Sequence, residues 1–169
     1  YVRKKFNISK KVKEARIYSI GMGLYELYVN GQKPTEEYFL PSNNNYNLWL
    51  QYQTFDVTFF LKRNDNTIGV LLGDGWARGR FGFKYSSANF ATKSRGYIID
   101  FVTDRYEFLL ELHILYEDGS TDVINTDKTW KCHESHVVMN NNYDGELQDA
   151  NLFIKNCNLN NCNEDEWEE

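Results

Sequence analysis

The segment that decides the fold is Leu24-Tyr25-Glu26-Leu27-Tyr28-Val29-Asn30-Gly31. Aromatic and β-branched residues favour extended strands, and the segment carries two tyrosines and a valine. It ends in Asn-Gly, the dipeptide most typical of a tight β-hairpin turn. The segment therefore predicts a strand that is ended by a hairpin turn.

Further strand-like segments follow at intervals of roughly 8–12 residues, the spacing of strands in a sandwich. Residues 1–8 and 14–20 alternate apolar with polar side chains. The other predicted strands are residues 53–58, 67–72, 96–102, 108–116, 121–125 and 129–133, with a helical turn at 59–63. Long helices do not alternate with these strands, which argues against a parallel α/β sheet. We predict an all-β fold, an antiparallel two-sheet jelly roll.

Composition limits the size class and the partners of the chain. Its 169 residues are enough for one domain with a buried core. The net charge of −5 argues against nucleic acid or an anionic membrane as the main partner, and no apolar run is long enough to span a bilayer. An odd set of three cysteines favours a reducing, cytoplasmic compartment, with export of a parent protein left open. The chain begins with Tyr1 rather than Met, which indicates a piece of a longer protein.

Two segments depart from the strand pattern. Residues 78–95 are rich in Gly, Ser, Lys and aromatic residues and predict a long loop, which in a compact domain is usually functional or mobile. Residues 156–169 are rich in Asn and Glu and have no periodicity. They predict an acidic linker, so the expected domain spans residues 1–155.

A tryptophan framed by glycines follows one predicted strand, in the stretch Gly73-Asp74-Gly75-Trp76-Ala77-Arg78-Gly79. The glycines leave room for close approach to the main chain. Asp74 and Arg78 place charged groups beside the indole. These features indicate a recognition loop. The alternative is a turn whose tryptophan folds back onto the core as a lid.

Several motifs of the chain occur in the order that is typical of one family. They are Tyr1-Val2-Arg3-Lys4-Lys5-Phe6, the segment from Leu24 to Gly31, Tyr52-Gln53-Thr54-Phe55-Asp56-Val57-Thr58, Gly73-Asp74-Gly75-Trp76, Tyr116-Glu117-Asp118-Gly119-Ser120, Thr126-Asp127-Lys128-Thr129-Trp130-Lys131 and Gly145-Glu146-Leu147-Gln148-Asp149-Ala150. On these motifs, residues 1–152 resemble the amino-terminal domain of bacterial α-L-rhamnosidases.

The resemblance implies a galactose-binding-like β-sandwich that precedes a catalytic helical barrel. By implication the fragment is non-catalytic and requires no cofactor, and its parent is an α-L-rhamnosidase, a glycoside hydrolase. Its expected partners are a rhamnose-containing glycan or glycoside and the catalytic domain of the parent. The alternative is a structural domain that packs against the barrel without binding sugar itself.

A site for a neutral sugar needs an aromatic plane and a few fixed polar groups. The candidate side chains are Trp76 as the plane, Asp74, Glu146 and Asp149 as acceptors, and Arg78 and Asn141 as donors. We expect the tryptophan loop to meet the loop Tyr143-Asp144-Gly145-Glu146 at one end of the sandwich. The alternative is that Glu146 and Asp149 only pin a loop to backbone amides or to Arg78.

A calcium ion is a further expectation, because some proteins of the resembled family bind rhamnose together with calcium. Asp144, Glu146 and Asp149 offer the oxygen ligands that calcium prefers. The spacing is not that of an EF-hand, so the site would have to be assembled across loops.

Two further readings of the polar residues are weaker. Asp74 and Glu146 could form the carboxylate pair of a glycosidase, but acidic residues are too common in this chain for that pairing to be specific. The Cys132, His133 and His136 set lacks the spacing of a zinc motif and is better explained by solvated strand residues. Trp130 is interpreted as a core residue.

Overall fold

Antiparallel strands build the protein, whose computed structural model describes residues 1–79 and 105–168. The strands are β1 (Val2–Ile8), β2 (Val12–Met22), β3 (Leu24–Val29), β4 (Gln53–Asp56), β5 (Asn64–Gly73), β6 (Glu107–Tyr116), β7 (Thr121–Asn125), β8 (Lys131–Cys132), β9 (Val137–Asn141) and β10 (Gly145–Gln148). The described residues also include a short helix α1 (Gly75–Arg78) and two 3-10 helices (Thr58–Phe60 and Ala150–Leu152). No helix in these two ranges is long and apolar enough to cross a membrane.

The strands form two four-stranded sheets, with the orders β3-β5-β1-β8 and β4-β2-β6-β7, and β9 pairs with β10 in a separate hairpin. The longest pairing joins β2 to β6, with Ile17 opposite Leu112. The predicted all-β, antiparallel two-sheet sandwich is confirmed. The strand expected at residues 96–102 and most of the loop expected at 78–95 lie outside the described residues.

The core lies between the two sheets, because alternate side chains of each strand point to the same face. In β3 the inward residues are Tyr25, Leu27 and Val29, and all three are buried. Full burial of an aliphatic side chain such as Val29 stabilises the fold by about 1.5–3 kcal/mol. Trp130 also belongs to this core, as predicted. The other residues of β3 point to the outer face of the sheet, and this face carries the candidate site.

The Asn30-Gly31 turn forms as predicted, but it does not make a regular hairpin. Both residues have positive φ, 51° and 81°, as a type I′ turn requires, and the Val29 N–H donates to the Gln32 carbonyl at 2.9 Å. The partner of β3 is β5 rather than the next strand in sequence. The Asn30 side chain supports the pairing of β3 with β5, because its Oδ1 accepts a hydrogen bond from the Thr67 N–H at 2.9 Å. This bond ties the turn to β5.

Two other local predictions need correction. The helical turn expected at 59–63 is a 3-10 helix that begins one residue earlier, at Thr58. The segment from Tyr143 to Glu146 was predicted as a loop, but it is the turn of the β9–β10 hairpin and the start of β10. All four residues of β10 are exposed, so the strand has no alternation of apolar and polar residues for sequence reasoning to detect.

The boundary expected at residue 155 does not match the packing of the last segment. Residues 156–168 lie on the outer face of the β3-β5-β1-β8 sheet, where the Leu159 carbonyl accepts the Arg3 guanidinium at 2.7 Å. Arg3 is 1% exposed and pairs with Glu164 at 3.0 Å. Cys157, Cys162 and Trp167 form a second small apolar cluster. A segment without periodicity thus packs on the sheet through individual polar and apolar contacts. That a further domain follows this segment stays a prediction.

Candidate functional site

The structure brings the tryptophan loop next to strand β9, close to the hairpin turn that was expected to meet it. The backbone N–H of Asp74 donates to Oδ1 of Asn140 at 2.7 Å. A Cβ on Gly79 would lie only 2.8 Å from Nδ2 of Asn141, so this approach requires a glycine. The two segments therefore form one end of the outer sheet face.

Asp74, Arg78 and Tyr106 form a cluster at this end of the sheet face. The Asp74 carboxylate accepts Nε of Arg78 at 3.1 Å and the hydroxyl of Tyr106 at 2.8 Å. The Arg78 guanidinium stacks at 4.0 Å from the Tyr106 ring centroid. Burial, followed by the charge of Asp74, raises the pKa of Tyr106 to about 12. Asp74 is 6% exposed, so its carboxylate faces protein groups rather than open solvent.

An open groove of about 900 Å³ lies on the outer face of the β3-β5-β1-β8 sheet. Its floor includes Leu24, Glu26 and Tyr28 of β3, and one wall is the β9–β10 hairpin. The opposite wall comes from the segment at 153–159. The volume is within the range of ligand sites. We call this feature the outer groove.

Only two of the sequence-predicted ligand residues line the outer groove, namely Asn141 and Glu146. Trp76 lies on α1, is half-buried and does not line the groove. Asp149 does not line it either. Its Oδ1 accepts the N–H of Asn151 at 2.9 Å and so caps the 3-10 helix that follows. The pinning role considered for Asp149 is therefore the one it has here.

Two buried side-chain amides in the outer groove lack hydrogen-bond partners within the described part of the chain. They are the Nδ2 groups of Asn141 and Asn142. Asn141 is 6% exposed, and its Oδ1 accepts the Tyr143 N–H at 2.9 Å, which fixes the side chain. A buried donor without a partner costs about 1–3 kcal/mol. A ligand with hydroxyl or carbonyl oxygens would recover this cost.

Glu146 adds an acceptor to the same end of the outer groove. It is exposed on β10, and its Oε2 accepts Nε2 of Gln148 at 2.9 Å. A carboxylate offers about four lone-pair positions, so one amide contact leaves room for ligand hydroxyls. Two amide side chains and a carboxylate therefore line the same end of the groove.

Sequence reasoning missed the polar group at the other end of the outer groove. Glu26 accepts the hydroxyl of Tyr28 at 2.5 Å and Nζ of Lys33 at 2.6 Å. Burial opposes ionisation of Glu26, but the hydrogen bonds from Lys33 and Tyr28 outweigh it and lower the pKa of the carboxyl group. The Lys33 ammonium lies 5.5 Å from the ring centroids of both Tyr28 and Tyr38. The alternation of side chains along β3 could have predicted that Glu26 and Tyr28 lie on the outer face. It could not have predicted the position of Tyr38, which lies outside the strand.

The acidic, thiol and imidazole side chains considered as metal ligands are not grouped for metal binding in the part of the chain that the structure describes. In residues 1–79 and 105–168, no group of three or more His, Cys, Asp or Glu side chains could hold a metal ion. The calcium expectation for Asp144, Glu146 and Asp149 gains no support from these side chains and stays a prediction. His136 packs against Phe153 with ring centroids 5.2 Å apart.

Comparison with known proteins shows which family the chain resembles. Residues 10–169 match the family model described as "Alpha-L-rhamnosidase N-terminal domain". An α-L-rhamnosidase of Formosa agariphila is 30% identical over 167 residues, which cover 99% of this chain and 17% of that protein. The chain thus spans under a fifth of the length of that relative.

Solved structures agree with this match. The crystal structure of the native α-L-rhamnosidase from Aspergillus terreus superposes with a TM-score of 0.87 at 30% identity, over 99% of this chain and 18% of that one. The Streptomyces avermitilis α-L-rhamnosidase complexed with L-rhamnose gives a TM-score of 0.86 at 25% identity, over 99% of this chain and 15% of that one. The chain belongs to the family of α-L-rhamnosidase N-terminal domains.

Proposed function

We propose that this domain is a non-catalytic carbohydrate-recognition module that binds rhamnose-containing glycans in the outer groove. The observation that carries the proposal is the pair of buried amides of Asn141 and Asn142, which lack partners among the described residues and line the groove. The Streptomyces avermitilis relative, whose structure holds L-rhamnose, supports the choice of sugar.

The chemistry of the Asn141 end fits a neutral sugar. The two Nδ2 groups donate to ring or hydroxyl oxygens, and the Glu146 carboxylate accepts hydroxyl protons in charge-assisted hydrogen bonds. Leu24 and Leu72 add apolar surface to the groove. Rhamnose carries a methyl group that can pack against such surface. Polar and apolar groups thus match the two kinds of surface that the sugar presents.

We further infer that hydrolysis belongs to another part of a longer parent α-L-rhamnosidase. The chain covers 17% of the Formosa agariphila relative. The pair Asp74 and Glu146, considered for catalysis, is a poor one, because Asp74 is committed to Arg78 and Tyr106. A general acid or nucleophile needs an accessible carboxyl group on each side of the bond.

Calorimetric titration of L-rhamnose into the 169-residue chain tests sugar binding. Asn142→Asp replaces the amide donor by a carboxylate of the same shape, and we expect about three- to tenfold weaker binding. The matched control is Asn47→Asp, at an exposed position outside the groove, which should bind like the wild type. No heat of binding from the wild type, or equal affinity of the Asn142→Asp variant, would contradict the proposal.

A second candidate function is packing against the rest of the longer protein. It is favoured by exposed apolar side chains outside the outer groove, namely Leu48, Trp49 and Phe59, of which Phe59 is 96% exposed. Retention on an immobilised rhamnoside separates the two functions. A purely structural domain should be retained no better than on a resin without sugar.

A further inference from the structure

The outer groove is longer than the end that the two unpartnered amides occupy. Its floor follows β3 and β5, with Leu24 opposite Gly73 at one end and Tyr28 opposite Gly69 at the other. The four residue steps from Leu24 to Tyr28 span on the order of 13 Å. One pyranose ring covers only part of that length, so a monosaccharide at Asn141 and Asn142 does not reach the other residues that line the groove.

Other contacts show that the two ends of the outer groove are separate. Asn140, which precedes the amide pair, lies at the Gly73 end, since a Cβ on Gly73 would be 3.0 Å from its Oδ1. Asn158 of the last segment lies at the Gly69 end, where a Cβ on Gly69 would collide with its side chain. Tyr28 therefore lies at the opposite end of the floor from Asn140, and its hydroxyl donates to Glu26, which lies opposite Leu71 midway along the floor. We call the group of Glu26, Tyr28, Lys33 and Tyr38 the far end.

The far end combines the two features by which proteins hold a sugar ring. Tyr38 lines the outer groove and is 72% exposed, so its ring offers an open aromatic face. Glu26 is a charged acceptor beside it, with one hydrogen bond recorded at each carboxylate oxygen. Lys33 holds Glu26 and lies over the Tyr28 and Tyr38 rings, which orders the group before a ligand arrives.

We propose that this far end is a second sugar subsite, with Tyr38 as the stacking platform and Glu26 as the acceptor of hydroxyl hydrogen bonds. The ligand is then at least a disaccharide, with its rhamnosyl unit at Asn141 and Asn142 and the next sugar on the exposed face of Tyr38, beside Glu26. This inference rests on the proposed rhamnoside binding and adds the size and orientation of the ligand.

Calorimetric titrations of the 169-residue chain with three sugars distinguish rhamnose binding at Asn141 and Asn142 from binding of a second sugar at the far end. L-Rhamnose tests the first subsite alone, a rhamnosyl-glucose disaccharide tests both, and an aryl rhamnoside offers an aromatic ring without the second set of hydroxyls. We expect the disaccharide to bind about three- to tenfold more tightly than rhamnose. The aryl rhamnoside should gain less, because it has no hydroxyls for Glu26.

Substitutions at the far end test whether its residues cause the tighter binding of the disaccharide. Tyr38→Ala should reduce the disaccharide affinity to that of rhamnose and leave rhamnose binding unchanged, and Glu26→Gln should remove part of the gain. The matched control is Tyr52→Ala, a tyrosine of similar exposure, 62%, outside the groove. Melting temperatures of the variants check that each one is folded.

The outcomes are distinguishable. If rhamnose itself does not bind, the proposed function fails and the second subsite fails with it. If rhamnose binds but the disaccharide binds no more tightly, or if its gain survives both Tyr38→Ala and Glu26→Gln, the second subsite is overturned and the proposed function stands. An equal gain from the aryl rhamnoside, unaffected by Glu26→Gln, overturns the assignment of the far end to a sugar.

Discussion

The backbone N–H of Asp74 and the Oδ1 of Asn140 are joined by a hydrogen bond of 2.7 Å. This bond connects the tryptophan loop to β9, one residue before the first unpartnered amide of the outer groove. The loop and the hairpin are therefore positioned relative to each other by the Asn140 side chain, which the sequence analysis did not single out.

Substitution of Asn140 tests whether this contact positions the site. Asn140→Leu removes the acceptor for the Asp74 N–H, and we expect the free energy of unfolding to fall by about 1–3 kcal/mol, since a buried donor is left without a partner. We also expect weaker rhamnose binding, because the adjacent amides lose their support. Urea unfolding and calorimetry measure the two effects.

The control for Asn140 is Asn151→Leu, since Asn151 is exposed and bonds only to the nearby Asp149. It should change the free energy of unfolding by a few tenths of a kcal/mol, as surface substitutions usually do. Equal effects of the two substitutions would refute the positioning role of Asn140.

Trp76→Ala should separate stability from binding. Trp76 is half-buried and does not line the outer groove, so we expect a lower melting temperature, a loss of about 2 kcal/mol in the free energy of unfolding, and unchanged rhamnose affinity. Trp49→Ala is the control, because Trp49 is exposed and should cost little. A loss of rhamnose binding at unchanged stability would instead restore Trp76 as the sugar platform.

Glu164→Gln tests the packing of the last segment. Its carboxylate pairs at 3.0 Å with Arg3, which is 1% exposed, and the substitution leaves that buried guanidinium without its counter-charge. We expect the free energy of unfolding to fall by about 3 kcal/mol. Glu134→Gln, at an exposed position, is the matched control. If both variants unfold at the same urea concentration, the ion pair of Arg3 and Glu164 contributes nothing to the stability of the domain.

The pH dependence of stability should contain a contribution from Glu26. The hydrogen bonds from Lys33 and Tyr28 outweigh the burial that opposes ionisation, so the folded-state pKa of Glu26 is below its unfolded value. The stabilisation is therefore present above the unfolded pKa and is lost as the pH falls through the folded pKa. The difference in free energy of unfolding between the wild type and Glu26→Gln should shrink in that acidic range.

A carboxyl NMR titration measures the same effect directly. Glu26 should titrate below the usual range of a glutamate carboxyl group, and Lys33→Met should move the Glu26 midpoint upward because a donor is lost. The hypothesis is wrong if Glu26 titrates within the usual range of a glutamate, or if Lys33→Met leaves the midpoint in place.

Local sequence was sufficient for the strand at Leu24–Val29, which has one buried face and has the bounds that were predicted for it. The strand at Thr121–Asn125 also has its predicted bounds, although none of its residues is buried, because the turn before it and its β-branched residues mark it in the sequence. Among the residues that line the outer groove, sequence reasoning named Asn141 and Glu146. It did not name Tyr38, because this exposed residue follows no strand period. It could not show that the Asp74 carboxylate contacts Arg78 and Tyr106, because an acidic side chain in a loop looks the same in sequence whatever it faces.

The amino-acid sequence by itself determined the class of fold, the tight turn at Asn30-Gly31 and the family, because these depend on the periodicity of local side chains and on the order of motifs. Only the tertiary structure decided that β3 pairs with β5, that the last segment covers Arg3, and that Asn141 and Glu26 line one groove. These relationships join residues far apart in sequence, and their energies depend on distances and burial that no local pattern contains.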